Sequence, residues 1–317
     1  MLIIVSPFVK SFDDEWFTYL VPKNLEEYIK LGIVVDVPLQ TQIVSGVVLG
    51  IIDDDLDTNI DPEKLKSVIA IKYETPLLYD YQISILKWIS KYYFCKIHSS
   101  LNLYFPRNLK EKIEKIKLDL NPKKELNYIF NYQKNLTKNQ EKIFNQIEKI
   151  EKNIIFYWVT WSGKTEVYVN LVKKYLDMWK QSLILLPEII LNNQIFGRFK
   201  EIFWEDVIII NSSITETSKY KNRVDIYNNN AKIIIWTRSS LFYPYKNLGL
   251  VIIDEEHDPS YKSDNSPKVD IREIVLKMKE YVDFKLIFAS GTPSIKTIYK
   301  GLTKEFEIVN LLDEYEK

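Results

Sequence analysis

The chain has 317 residues and 37.7 kDa, room for about two domains at the usual ~100–200 residues each. Its 46% hydrophobic and 27% charged residues exclude a disordered, collagenous or disulfide-stapled chain. Lys plus Arg and Asp plus Glu balance at 43 each, so net charge argues for neither a nucleic-acid nor a membrane partner.

No apolar run approaches the ~20 residues that span a bilayer. The start, MLIIVSPFVKSFDDEW, lacks the basic region of a signal peptide, so a cytoplasmic location is expected. The single cysteine, Cys95, excludes an internal disulfide and a cysteine zinc cluster, and His98 and His257 lie far apart in sequence. Any metal is expected on oxygen ligands. The 8 glycines are about 2.5% of the chain where ~7% is usual.

Residues 1–106 read as short β-branched and aromatic runs, Phe17 to Val21, Gly32 to Val37 and Ile43 to Ile52, separated by Pro22, Pro38 and Gly46. A helix is predicted from Asp80 to Tyr93, where Ile83, Leu86, Ile89 and Tyr93 recur at helical spacing. A small β-rich domain with one packed helix follows. Residues 107–135 carry Arg107 and seven lysines, diluted by Glu111, Glu114, Asp119 and Glu125, and are expected to be a solvated linker.

Residues 136–317 alternate helix and apolar strand. Predicted helices cover Lys138 to Lys149, Lys164 to Met178, Leu191 to Ile202 and Val269 to Tyr281. Predicted strands cover Ile154 to Val159, Ser182 to Leu186, Val207 to Ile210, Lys232 to Ile235, Leu250 to Asp254 and Lys285 to Ala289. Continuous Ile/Val/Leu runs mark strands buried on both faces, hence an α/β domain with a mainly parallel sheet.

Three polar segments follow predicted strands. Ser162-Gly163-Lys164-Thr165 is the second half of a phosphate-binding loop, in which backbone N–H groups and a helix N-terminus hold phosphates. In that chemistry Lys164 reaches the β and γ oxygens of ATP and Thr165 ligates magnesium. Asp254-Glu255-Glu256-His257 ends the strand LGLVIID; Asp254 can hold the magnesium and Glu255 can orient a water, the bland alternative being a helix cap. Ser290-Gly291-Thr292-Pro293 ends a third strand; its hydroxyls could relay nucleotide state, although a plain turn has the same composition.

Beyond those segments, GKTEVY (163–168), LPEIIL (186–191), TRSSLFYPYKNLGLVIIDEEHDPSYK (237–262) and SGTPSI (290–295) resemble the PriA family of replication-restart helicases in superfamily 2. FTYLVP (17–22), SGVVLGI (45–51), LKSV (65–68) and WISKYYFC (88–95) resemble that family's 3′-end DNA-binding domain. The resemblance implies three parts: a DNA-binding domain at 1–106, a linker at 107–135 and a RecA-like ATP-binding lobe at 136–317. It implies an ATP- and magnesium-dependent 3′-to-5′ DNA helicase acting at forks, 3′ ends and single strands, with primosome proteins and single-strand-binding protein as partners and no membrane.

Carried over residue by residue, the resemblance puts Lys164, Asp254 and Glu255 in catalysis, and Gln140, Ser162, Gly163, Lys164 and Thr165 around the nucleotide. Gln140 takes the place that reads adenine, a helix-surface glutamine being the alternative. Thr165 and Asp254 take the magnesium, while Ser290 and Thr292 couple the sites. Thr18 and Lys66 match a pocket for a 3′ terminus, with Thr18 replacing an acid. Pro187, Glu188, Thr237, Arg238 and Ser239 match strand-end segments facing DNA.

Three departures accompany the resemblance. The chain stops after the first motor lobe, before the second lobe with its arginine finger and zinc-binding cysteines, so these residues alone are expected not to unwind DNA. The linker is too short for a winged-helix domain. The loop reads WVTWSGKT where the family has G-x-T-G-S-G-K-T, and an indole there would take phosphate space. Trp158, Trp161, Trp179, Trp204 and Trp236 all stand on family glycine positions, whereas Trp88 matches a family tryptophan and Trp16 is assigned to neither group. One cause accounts for all five: a gene that uses UGA for glycine, conceptually translated with UGA as tryptophan. The alternatives are an ATPase-dead relic that still binds forks and a nucleotide-binding regulator unrelated to DNA.

Overall fold

The computed structural model describes residues 1–9, 16–52, 65–105, 136–159, 162–187, 194–203, 207–210 and 216–312. These form two compact units, each described by itself. The expected linker at 107–135 lies outside the described residues.

The first unit is a five-stranded sheet in the order β2-β1-β4-β3-β5, from strands Leu2–Pro7, Phe17–Leu20, Val34–Leu39, Gln42–Ile52 and Ala70–Tyr73 (β1 to β5). Every pairing within it is antiparallel. The segment after residue 64 ties opposite parts of the sheet together. Leu20 on β2 donates to the Lys66 carbonyl and accepts from Val68, while Ile69 donates to Asp36 on β3. Alternating side chains Ile3, Val5, Val35, Val37 and Val48 form one apolar core.

Two of the expected features change here. Pro38 was read as a separator, yet it lies inside β3 opposite Ile43. It is tolerated because β5 pairs with β3 only as far as Asp36, so Pro38 needs no ladder N–H on that side. Two helices accompany the sheet rather than one: α1, Asp80–Tyr92, and α2, Ile97–Tyr104. The second is a single buried stripe of Ile97, Ser100, Leu101 and Tyr104, too short for periodicity to reveal.

The second unit is a seven-stranded, fully parallel sheet in the order β12-β6-β11-β10-β7-β9-β8. Its strands are β6 Asn153–Trp158, β7 Gln181–Leu185, β8 Val207–Ile210, β9 Ile233–Trp236, β10 Leu248–Asp254, β11 Lys285–Ser290 and β12 Phe306–Leu311. The helices are α3 Lys138–Lys149, α4 Lys164–Asp177, α5 Gln194–Phe203, α6 Glu216–Tyr227, α7 Ile271–Lys279 and α8 Ile295–Leu302. Ile143 and Ile147 of α3, Val167, Leu171, Val172 and Leu176 of α4 and Phe199 and Phe203 of α5 share one core with Phe156, Ile184, Ile235, Ile252 and Ile287. The intervening strand residues Ile155, Leu183, Val251, Ile253 and Leu286 are buried as well, so both sheet faces are covered. Among the described residues no helix is long and apolar enough to cross a membrane.

Lys285, at the start of β11, closes the end of α3. Its Nζ donates to the carbonyls of Ile147, Glu148 and Ile150 at 2.7, 3.1 and 2.8 Å, satisfying acceptors that a helix C-terminus leaves open. Burial, with Lys174 and Lys279 nearby, pushes its ammonium down from 10.5 to about 8. Between those values the unfolded chain holds a proton that the folded chain has released, so this group's contribution to stability rises with pH there. Lys285→Met is expected to cost about 1–3 kcal/mol in urea unfolding at neutral pH, and the stability gap from the unsubstituted protein should widen as pH passes from about 8 towards 10.5.

Candidate nucleotide site

The parallel register sets Asp254, at the end of β10, beside Ala289 on β11, and Ser290 beside Tyr157 on β6. Three strand ends thus open onto one carboxyl edge, the usual place for a ligand in an open α/β sheet. Helix α4 begins there. Its N-cap is Gly163 at φ +76, a left-handed conformation that glycine adopts without the steric cost other residues meet.

Lys164, the first residue of α4, reaches across to β10. Its Nζ donates to Asp254 Oδ1 and Oδ2, both at 2.9 Å, and to Glu255 Oε1 at 3.1 Å. Asp254 is 1% exposed and Glu255 18%, so the lysine offsets one of two negative charges, the more deeply buried of which is on Asp254. Removing one partner from such a set costs ~3–5 kcal/mol, because the remaining charge stays buried. Glu255 itself sits at φ +48, a strained conformation of the kind that concentrates at functional sites.

Two tyrosines that sequence reasoning gave no role hold Asp254. Tyr168, one helical turn beyond Lys164 on α4, donates its phenol to Asp254 Oδ1 at 2.9 Å. Tyr261 donates to the backbone carbonyls of Asp254 at 2.6 Å and Leu185 at 2.9 Å, joining the ends of β10 and β7. Burial first, then the Asp254 charge, holds both phenols well above their usual range, so both remain donors at neutral pH. The i, i+4 spacing from Lys164 was the available signal for Tyr168.

Gln140 is buried rather than on the surface of its helix. Its Oε1 accepts from Thr137 N at 3.0 Å in a capping box, and its Nε2 donates to the carbonyls of Ser162 and Gly163, both at 3.3 Å. It braces the loop before α4. Contact with adenine would require it to exchange those bonds.

A second set of polar contacts leaves the site toward α8. His257 Nδ1 lies 2.7 Å from Ser290 Oγ, which accepts from Thr292 N at 3.0 Å. Glu256, fully buried, accepts from Ser294 N at 2.6 Å, Ser294 Oγ at 3.2 Å and Thr297 Oγ1 at 2.8 Å. Its backbone carbonyl takes Arg272 Nη1 at 2.7 Å. Glu256 was visible in the sequence, but its role needed the tertiary contact.

The remaining expected residues are spread along the same units. Pro187 follows β7 and is buried, Thr237 is buried after β9, and Ser239 is exposed. Arg238 Nη1 is bonded to the carbonyls of Ser260 and Lys262 at 2.8 and 2.9 Å, so its guanidinium braces the turn after β10. Thr18 lies on β2, and Lys66 bonds through its carbonyl to that strand and through Nζ to the Gln40 carbonyl at 3.2 Å. Both therefore sit at one edge of the first sheet. Thr292 is exposed and Ser290 buried. Glu188 lies outside the described residues.

Of the five tryptophans on expected glycine positions, Trp161 and Trp204 lie outside the described residues. Trp236 ends β9. The ring of Trp158 lies over Lys164, 3.6 Å from Nζ to the centroid, and its Nε1 is buried without a hydrogen-bond partner. The charged set of Lys164, Asp254 and Glu255 has the chemistry that a magnesium-bound triphosphate calls for, whereas the indole takes the lysine face that a phosphate would need. Trp179 has φ +59 just past α4. Its N–H donates to Leu176 O and that of Lys180 to Tyr175 O, both at 2.8 Å. That pair of bonds defines a helix end whose left-handed residue is normally glycine.

Residues 137–300 match the family model described as DEAD/DEAH box helicase, and residues 8–106 match the one described as 3′DNA-binding domain (3′BD). The chain is 35% identical to "Replication restart protein PriA" of Rickettsia prowazekii (strain Madrid E) over 315 residues, 98% of this chain and 46% of the relative. It is 31% identical to the protein of the same name from Helicobacter pylori (strain J99) over 295 residues, 92% of this chain and 43% of the relative. The chain thus spans about half the length of the curated relatives it matches. Among solved structures, the Pyrococcus furiosus Hef helicase domain is similar at TM-score 0.42 and 18% identity, over 56% of this chain and 38% of that one.

The geometry at Trp179 makes a stability prediction. A non-glycine residue in the left-handed region costs ~1–2 kcal/mol, and the half-exposed indole recovers little by burial. Trp179→Gly is expected to stabilise the protein by about 1 kcal/mol in thermal unfolding, where glycine inside a helix would destabilise it.

Proposed function

Because the chain belongs to the DEAD/DEAH box helicase family, we propose that residues 136–317 are a nucleotide-binding motor lobe and residues 1–106 a DNA-end-binding module. The relatives named for replication restart and the match to a 3′DNA-binding domain support action on DNA ends in replication restart; forks, primosome proteins and single-strand-binding protein are the partners proposed with it. The observation that carries the motor reading is the bonding of Lys164 Nζ to Asp254 and Glu255, residues from separate strand ends brought to one sheet edge.

In this reading Lys164 exchanges its carboxylate partners for phosphate oxygens, and the first N–H groups of α4 complete the cradle. Thr165 and Asp254 hold magnesium, with Tyr168 fixing the orientation of the Asp254 carboxylate. Glu255, released from the lysine, orients water. Bound magnesium and triphosphate supply the electrophilic phosphorus and part of its charge neutralisation. Ser290 and Thr292, tied to His257, carry the state of the site toward DNA contacts at Pro187, Glu188, Thr237, Arg238 and Ser239. Thr18 and Lys66 receive the 3′ terminus.

The cradle is open in this reading because positions 158, 161, 179, 204 and 236 hold glycine in the cell, encoded by UGA. The glycine-type helix end at Trp179 and the indole against Lys164 both support it. The indole also supports the rival, a relic whose loop is closed, and the two differ in nucleotide binding. With Trp158 and Trp161 both replaced by glycine, calorimetry is expected to show magnesium-dependent ATP binding at least tenfold tighter than in the tryptophan form. Adding Lys164→Ala to that variant should abolish it. Equal, negligible affinity with and without the two glycines would favour the relic.

A further inference from the structure

The C-terminal end of α1 presents a surface that neither burial nor backbone geometry accounts for. Phe94 is 97% exposed, so its ring gains nothing from the core. It also has φ +49. Cys95 N donates to Ser90 O and Tyr93 N to Ile89 O, both at 3.0 Å, so Phe94 takes the left-handed place at the helix end where glycine is favoured. Folding alone would select against phenylalanine twice at this position.

The residues just before it form an aromatic group. Tyr92, 51% exposed, stacks on Trp88 with ring centroids 4.6 Å apart and planes at 18°. Tyr93 meets Tyr92 edge-on at 4.9 Å and Trp88 at 6.1 Å. Trp88, Tyr92 and Tyr93 are thereby packed on one another, which leaves those three rings less side-chain entropy to lose on binding. Lys87, Lys91 and Lys96 are exposed around it, and residues 81–106 contain no aspartate or glutamate. Exposed π faces interleaved with lysine, and no acid among them in sequence, suit a strand of unpaired bases joined by phosphates.

We propose that Tyr92 and Phe94 form a stacking platform for single-stranded DNA, with Lys87, Lys91 and Lys96 on its phosphates. The proposal rests on the DNA-binding reading of the first unit but uses other residues than Thr18 and Lys66. It needs no 3′ terminus.

The test is fluorescence anisotropy of the full chain with a labelled oligothymidylate whose 3′ end is blocked by phosphate. Tyr92→Ala and Phe94→Gly should each weaken binding about tenfold, with the salt dependence unchanged, because stacking is lost and no ion pair is. Lys91→Gln should instead lower the salt dependence by about one counterion. Phe94→Gly should also keep or raise the melting temperature, which separates a lost contact from a lost fold. Binding unchanged by both aromatic substitutions overturns the platform, as does binding that vanishes when the 3′ end is blocked. No binding of open or blocked strands by the unsubstituted chain overturns the DNA-binding reading with it.

Discussion

The ion cluster of Lys164, Asp254 and Glu255 is the constraint on which the second unit turns. Three charges, one on a nearly inaccessible carboxylate, are tolerable in a protein interior only with short, well-directed partners. The parallel sheet supplies them by ending β6, β11 and β10 at one edge. Tyr168 donates to Asp254 Oδ1 alongside the lysine, and Tyr261 fixes the strand end that carries it. Gln140 fixes the loop that carries the lysine. The surrounding hydrogen bonds therefore have one common effect, to hold opposite charges that come from distant parts of the sequence.

The same strand ends are linked to each other by a second, separate polar group. His257 meets Ser290, and Glu256 receives the start of α8 through Ser294 and Thr297. A displaced β10 end would strain β11 and α8 together, since a buried carboxylate cannot lose its donors cheaply. These bonds tie the segments after β10 and β11 to each other and to α8.

Much of this was legible in the sequence where residues are buried on both sides. All seven residues of β10 are buried, and such runs announce themselves as strands. Lys164, Asp254 and Glu255 were legible because their chemistry recurs in a fixed order along the chain. Elements with one exposed face were harder. Strand β12 buries Phe306, Val309 and Leu311 but exposes Glu307, Ile308 and Asn310, and α8 buries only Thr297. Pro38 misled because the edge position that accommodates it is set by β5, far along the chain. For Gln140 the resemblance offered an adenine contact and periodicity a surface position; neither reveals a polar side chain turned inward to a loop.

What remains is the identity of the residues that the gene specifies at the loop and the helix end. In the proposed nucleotide site the charged cluster is a working one, and the indoles of Trp158 and Trp179 are absent from the cellular protein. Peptide mass spectrometry of the protein from its native source tests this most directly. Glycine masses at positions 158, 161 and 179, with tryptophan retained at 88, are the predicted result. Tryptophan at 158 and 179 would contradict the account and leave a closed loop over Lys164.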